Sequence, residues 1–138
     1  MGDQAQMKPP LFEPRTLSLV DLLDSGTLSD VEIQRLIGWQ AVVLVDLLRR
    51  KCITVRYAEQ VLFNLEVVQR LERRRLQDCV AVVDWGMQLE DWEEHTPEHF
   101  PEALMTISQL AYRLLETVKK GSRLRDRQAL KSAISSSQ

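Results

Sequence analysis

The stretch SDVEIQRLIGWQAVVLVDLLRRK, residues 29–51, decides the fold because it predicts a long helix with two apolar sides. Ser29 and Glu32 match a capping box, in which each side chain can accept a hydrogen bond from the other residue's backbone amide. One side of the helix is continuously apolar, and a second apolar group lies on the other side: Trp39, Val42 and Val45. Such a helix is either the central helix of a bundle or is covered by a second subunit. The second alternative predicts self-association of the chain through residues 31–50.

Shorter helices are predicted on both sides of this central helix. Thr54 and Asn64 are N-cap residues that predict two short helices with a tight join. Residues 76–87 show a helical stripe, although the run CVAVVDW within them could also form a buried strand. Thr96–Pro97 predicts the start of a final long helix, which is expected to end at Gly121.

These elements predict an all-α fold, a compact bundle of about five or six helices in a single domain. The chain has 138 residues, enough to bury a core without disulfides or metals. Three prolines predict an extended arm over residues 1–15. The helical domain is expected over residues 16–121, and a basic, serine-ended tail over 122–138 is expected to be flexible.

The cysteines and the absence of targeting features favour a cytoplasmic protein. Cys52 and Cys79 each lie among apolar neighbours and match no metal-binding spacing, so a reduced, buried pair is expected. No apolar run approaches the length of a membrane span. The start, MGDQAQMKPP, contains no apolar signal region.

The net charge of −2 is the sum of four blocks that alternate in sign along the chain. Residues 1–48 carry a net charge of −4, residues 49–75 carry +5, residues 76–112 carry −8 and residues 113–138 carry +5. These blocks can neutralise one another within the fold, or the acidic block can attract a basic partner.

The acidic block contains DWGMQLEDWEEHTPEHF, residues 84–100, with six carboxylates, two tryptophans and neither lysine nor arginine. The apolar stripe of this helix changes face around Gly86. Either the helix kinks there and both stripes reach one core, with the tryptophans packed inside, or the tryptophan stripe faces a partner. We predict the second arrangement, a partner-binding surface made of Trp85, Leu89, Glu90, Asp91, Trp92, Glu93 and Glu94.

This surface favours a non-enzymatic module that binds another protein with a basic surface, as inhibitor, immunity or adaptor proteins do. Tryptophans at the centre of a charged rim are typical of protein-binding hot spots. We expect no catalytic residues, no metal and no cofactor.

Two enzyme-like patterns occur in the same segment. HTPEH places His95, Glu98 and His99 in the order used by one group of metal hydrolases. That chemistry needs both histidines on one continuous helix, whereas Pro97 between them favours a helix start. A second pattern is a polar stripe along the helix, formed by Asp84, Gln88, Asp91 and His95. Asp91 and His95 could share a proton or a metal, although a solvated helix face gives the same pattern.

The arginine run at residues 70–75 offers an alternative function in nucleic-acid binding. Arg70, Arg73 and Arg74 share one helix face, and a short helix precedes them, as in a helix-turn-helix. Nearby glutamates supply counter-charges at helical spacing. Pairing of these arginines with the acids of residues 84–102 would remove the need for any ligand.

Two fragments together resemble a family of short, uncharacterised bacterial helical proteins. The segment AEQVLF at 58–63 matches A-x-x-(V/L)-L-F, and GMQLED at 86–91 matches G-x-x-L-E-D at a comparable interval, with Pro97 shortly after. The resemblance covers residues 45–118. It implies a small bacterial all-helical protein and gives no reaction.

Overall fold

The computed structural model describes residues 18–117, which are helical and contain no strand. The elements in chain order are α1 (Leu19–Asp24), α2 (Asp30–Arg49), α3 (Val55–Val61), α4 (Leu65–Arg73), α5 (Gln77–Met87), α6 (Leu89–His95), a 3-10 turn (Pro97–His99) and α7 (100–117). The predicted all-α class is confirmed. The strand considered for CVAVVDW is wrong, because this run lies within α5. The predicted arm, the tail and the helix end at Gly121 lie outside the described residues.

The predicted N-caps are present because short polar side chains satisfy free amides at the helix starts. The Ser29 hydroxyl accepts a hydrogen bond from the amide of Glu32 at 3.2 Å, and Glu32 Oε1 accepts one from the amide of Ser29 at 2.9 Å. Thr54 and Asn64 each accept a hydrogen bond from the amide three residues later, at 3.1 and 3.0 Å. Each such cap stabilises its helix by about 1 kcal/mol.

Two helices end in left-handed residues that are not glycine. Lys51, after α2, has φ of 59°, and Arg75, after α4, has φ of 61°. After α2, the amide of Cys52 donates to the carbonyl of Leu47 at 2.9 Å and the amide of Lys51 donates to that of Leu48 at 3.0 Å. This is the Schellman arrangement, in which glycine is usual because a Cβ is strained there.

We expect Lys51→Gly and Arg75→Gly each to raise the free energy of unfolding by about 0.5–1 kcal/mol, because glycine relieves the left-handed strain. Urea titration followed by circular dichroism measures the change. Arg50→Gly is the matched control: Arg50 has an ordinary right-handed conformation, so glycine should lower stability there. Equal losses in all three variants would contradict the strain argument.

Helix α2 is central but keeps one apolar side exposed. Its inner side is buried through Ile33, Ile37, Ala41, Leu44, Val45 and Leu48. At Gly38 it passes close to α7, where a Cβ would lie 2.8 Å from Leu115 Cδ2 and 3.4 Å from the carbonyl oxygen of Ala111. On the outer side, Trp39 remains 53% exposed and Val43 51% exposed. The predicted second side is therefore correct for Trp39 only: Val42 is half-buried, Val45 is buried in the core, and the open side is formed by Trp39 and Val43.

The turn after α3 packs tightly against α5 through Phe63 and Gly86. Phe63 is buried, and any Cβ at Gly86 would overlap its ring. Two residues later the helix breaks: α5 ends at Met87, and Leu89 begins α6 after Gln88, whose amide donates to the carbonyl of Trp85 at 3.2 Å. The apolar stripes of α5 and α6 therefore both reach one core.

We expect Gly86→Ala to lower the free energy of unfolding by about 2 kcal/mol, because the added methyl group meets the Phe63 ring. The sign of this change tests the contact. Without the contact, alanine in place of glycine would raise the free energy of unfolding by up to about 1 kcal/mol. Phe63→Leu in the same chain should recover part of the loss. A double-mutant cycle by urea titration measures the coupling, and additive losses would contradict the contact.

The two cysteines differ in environment. Cys79 is fully buried in α5, and burial, with smaller effects from the charges of Asp78 and Asp30, raises the pKa of its thiol to about 12. Cys52 is exposed. The predicted buried pair is therefore correct for Cys79 and wrong for Cys52, which lies in the turn after α2.

Candidate functional site

Helix α6 is anchored to the core by its apolar side. Leu89 is fully buried, and Trp85 and Trp92 are partly buried against the core. The assignment of Leu89 to a partner-binding surface is therefore wrong, because Leu89 continues the line of buried residues Cys79, Val82 and Gly86 at helical spacing. Both tryptophans keep part of their rings accessible, so they are neither sealed in the core nor fully exposed.

The outer sides of α6 carry exposed carboxylates. We define the α6 acidic surface as Glu90, Asp91, Glu93 and Glu94 together with the accessible part of Trp92. Among residues 18–117, the only ion-pair contact of these four carboxylates joins Glu94 Oε2 to His95 Nε2 at 3.8 Å. Their negative charge is thus left largely uncompensated by the described part of the chain.

Glu59 of α3 adds to this negative surface, although sequence analysis did not identify it. Helix α3 packs on α6, and the pKa of Glu59 is raised by burial first, then by the charge of Glu90 and a hydrogen bond with it, and less by the charge of Glu93, while the charge of Arg56 opposes the shift. No local sequence signal joins Glu59 to α6, because the two are brought together only by the fold. Burial is the main cause of the raised pKa, and the carboxylates of α6 add a smaller part.

A shallow depression lies beside the indole of Trp92. Its lining residues are Gln88, Asp91, Trp92, His95 and Thr96. The His99 ring packs edge-on against Trp92, with ring centroids 5.9 Å apart and planes at 80°. Three members of the predicted polar stripe therefore meet here. The fourth, Asp84, is exposed on α5 and does not line the depression, because the helix breaks at Gln88.

The histidines of HTPEH do not share one helix. His95 is the last residue of α6, His99 lies in the 3-10 turn, and Thr96 between them has a non-helical conformation. Each contacts a different carboxylate: His95 is near Glu94, and His99 Nδ1 lies 3.6 Å from Glu102 Oε2. Within residues 18–117, no three histidine, cysteine, aspartate or glutamate side chains are grouped to hold a metal ion.

The arginines of α4 join it to neighbouring helices. Arg70 Nε and Nη2 donate to the two oxygens of Asp24 at 3.2 and 3.4 Å, which links α4 to α1. Arg74 Nη1 donates to Asp30 Oδ1 at 3.1 Å, which links α4 to the start of α2. Arg73 is exposed and makes no ion pair with any described residue. The arginines therefore pair with acids of the N-terminal block, not with those of α6.

We expect Arg70→Ala and Arg74→Ala each to lower the free energy of unfolding by about 0.5–1 kcal/mol, since each removes a partly exposed ion pair between helices. The side chains of Arg70 and Arg74 are 23% and 26% exposed. Arg73→Ala is the matched control and should leave stability nearly unchanged. Thermal and urea unfolding measure the three variants. Equal effects in all three would contradict a specific role for the two pairs.

The geometry defines a class of protein: a small all-α domain with an acidic, tryptophan-bearing helix on its surface. Within residues 18–117, none of the helices combines the length and the apolar composition that a membrane span requires.

The chain belongs to DUF3969, a protein family of unknown function, whose family model matches residues 28–129. The match begins immediately before the capping box of α2 and includes α6. No curated protein and no solved structure matches the chain significantly. The family match confirms the expectation of an uncharacterised family. The two short motifs and the bacterial origin stay predictions.

Proposed function

We propose that this protein is a non-enzymatic interaction module that binds a basic segment of another protein through the α6 acidic surface, as inhibitor, immunity or adaptor proteins do. The observation that supports this most directly is the exposed run of carboxylates on α6 beside an accessible indole. Arg70 and Arg74, which the sequence offered as counter-charges for this run, pair with Asp24 and Asp30 instead, and Arg56 of α3 offsets only part of the charge effect at Glu59.

The electrostatics of α6 favour a cationic partner. Glu90 and Glu93 lie near Glu59, and their mutual repulsion contributes to the raised pKa of Glu59. A bound lysine or arginine relieves this repulsion. Carboxylates at the rim of an interface also raise the association rate and orient the encounter, which makes binding dependent on ionic strength.

The depression beside Trp92 fits the side chain of an arginine or lysine. The aliphatic part of such a side chain packs along the indole, and its charged end reaches Asp91. His99 packs edge-on against Trp92, which restricts the indole before binding. A restricted aromatic residue loses less conformational entropy on binding than a mobile one. We therefore assign Trp92 the largest contribution to binding and the carboxylates a contribution to rate and selectivity.

The same charges disfavour nucleic acid as the ligand of this surface, because phosphates would be repelled by α6. The α4 arginines offer no equally open alternative, since two of the three make ion pairs within the chain.

The test is affinity capture from the native host with the full chain as bait. We expect Trp92→Ala and the double variant Asp91→Lys/Glu94→Lys each to lower partner affinity more than tenfold, because each removes a central contact or reverses the rim charge. Binding of an oligo-arginine peptide, measured by calorimetry, should fall in the same variants and with added salt.

Matched controls separate this surface from general effects. Tyr112→Ala removes an exposed aromatic residue of α7, and Glu66→Lys/Glu72→Lys makes the same change of net charge on α4. Both should bind the partner normally. Trp92→Phe keeps a ring in the core and controls for lost packing. Folded Trp92→Ala and Asp91→Lys/Glu94→Lys proteins that retain full affinity would refute the proposal.

A further inference from the structure

We propose that the open side of α2 pairs with α2 of a second copy of this chain, in an antiparallel, two-fold symmetric contact. The relevant residues follow one another at intervals of four and three along the helix. We call them the α2 seam: Glu32, Leu36, Trp39, Val43, Asp46 and Arg50. This alternating spacing keeps side chains in line along a helix and is that of contacts between paired helices.

The middle of the α2 seam is apolar and accessible. Trp39 and Val43 lie one turn apart, and each exposes about half of its surface, 53% and 51%. Leu36, one position earlier in the seam, is half-buried. Adjacent large apolar side chains on one open helix face favour contact with another apolar surface.

The arrangement of the seam identifies its partner. Glu32 lies nine residues before Ala41 and Arg50 nine residues after it, while Trp39 lies two before and Val43 two after. An antiparallel second copy related by an axis at the level of Ala41 therefore places Glu32 opposite Arg50, Leu36 opposite Asp46 and Trp39 opposite Val43. Every such contact occurs twice, as in any two-fold symmetric interface.

Charges beside the apolar centre also match in this orientation. Asp46 Oδ2 and Arg50 Nε already form an ion pair at 3.2 Å on the surface of α2. In the antiparallel pair, Arg35 of the second copy lies one residue from the position opposite Asp46, while Glu32 of that copy lies opposite Arg50. Each end of the contact then holds one network of four charges: Asp46 and Arg50 of one copy, and Arg35 and Glu32 of the other.

A parallel arrangement is disfavoured by the same residues. It would place Glu32 against Glu32 and Arg50 against Arg50, so that like charges repel at both ends. Only the reversed orientation brings opposite charges together. The pattern therefore selects a second copy of this helix in one orientation.

The contact is expected to be reversible. A helix of 20 residues is about 30 Å long, so one helix pair buries an area at the low end of specific interfaces. A dissociation constant in the range of about 1–100 μM is consistent with this size. Dimerisation should then depend on protein concentration and on salt.

Sedimentation equilibrium of the full chain tests the proposal. The wild-type chain should show a monomer–dimer equilibrium, and Trp39→Glu should abolish it. Arg35→Glu and Asp46→Lys should each weaken dimerisation about tenfold, and the double variant should recover most of the loss because the signs match again. Arg49→Glu, an exposed change off the seam, should dimerise as wild type does.

Cross-linking tests the orientation in a Cys52→Ser background, where Cys79 is buried and unreactive. A short bis-maleimide should join an Arg35→Cys chain to an Asp46→Cys chain in a mixture, but neither chain to itself. Self-cross-linking of each chain alone would indicate the parallel pair and overturn the proposal. A chain that stays monomeric at about 1 mM, or a dimer unaffected by Trp39→Glu, would also overturn it.

Discussion

The contact between the Phe63 ring and Gly86 determines how the acidic half of the chain is arranged. It holds the turn after α3 so close to α5 that no side chain fits at residue 86. Gly86 belongs to a line of buried residues that continues past the break at Gln88, with Cys79, Val82 and Leu89 at intervals of three and four. This line joins the start of α6 to the same core as α5.

Because α6 is anchored by apolar contacts, its carboxylates are held close together despite their repulsion. Burial of Leu89 and partial burial of Trp85 and Trp92 stabilise the helix, and the repulsion between Glu59 and the α6 glutamates opposes this. A cluster of like charges that lowers stability is common where a surface serves binding, since a ligand of opposite sign removes the cost. The fold thus maintains a negative surface that its own described residues do not neutralise.

Local chemistry made much of the fold predictable from the sequence. The caps at Ser29, Thr54 and Asn64 depend on side chains that bond to amides three residues away, so a short window contains the whole interaction. The left-handed ends at Lys51 and Arg75 carry no such signal, because packing imposes a conformation that these residues disfavour. The site was only partly predictable for the same reason: the acids of α6 could be read directly, whereas the burial of Leu89 depends on long-range contacts.

The two exposed surfaces differ in what they can recognise. The α6 acidic surface carries one sign of charge, so two copies of it repel each other and it favours a different, basic protein. The α2 seam carries opposite charges at its two ends, Glu32 and Arg50, which meet when the helix is reversed, with Trp39 and Val43 at the centre. A surface of this kind is complementary to itself, as two-fold interfaces must be. The two proposals are therefore compatible: self-association through the seam would leave the α6 acidic surface free for another protein.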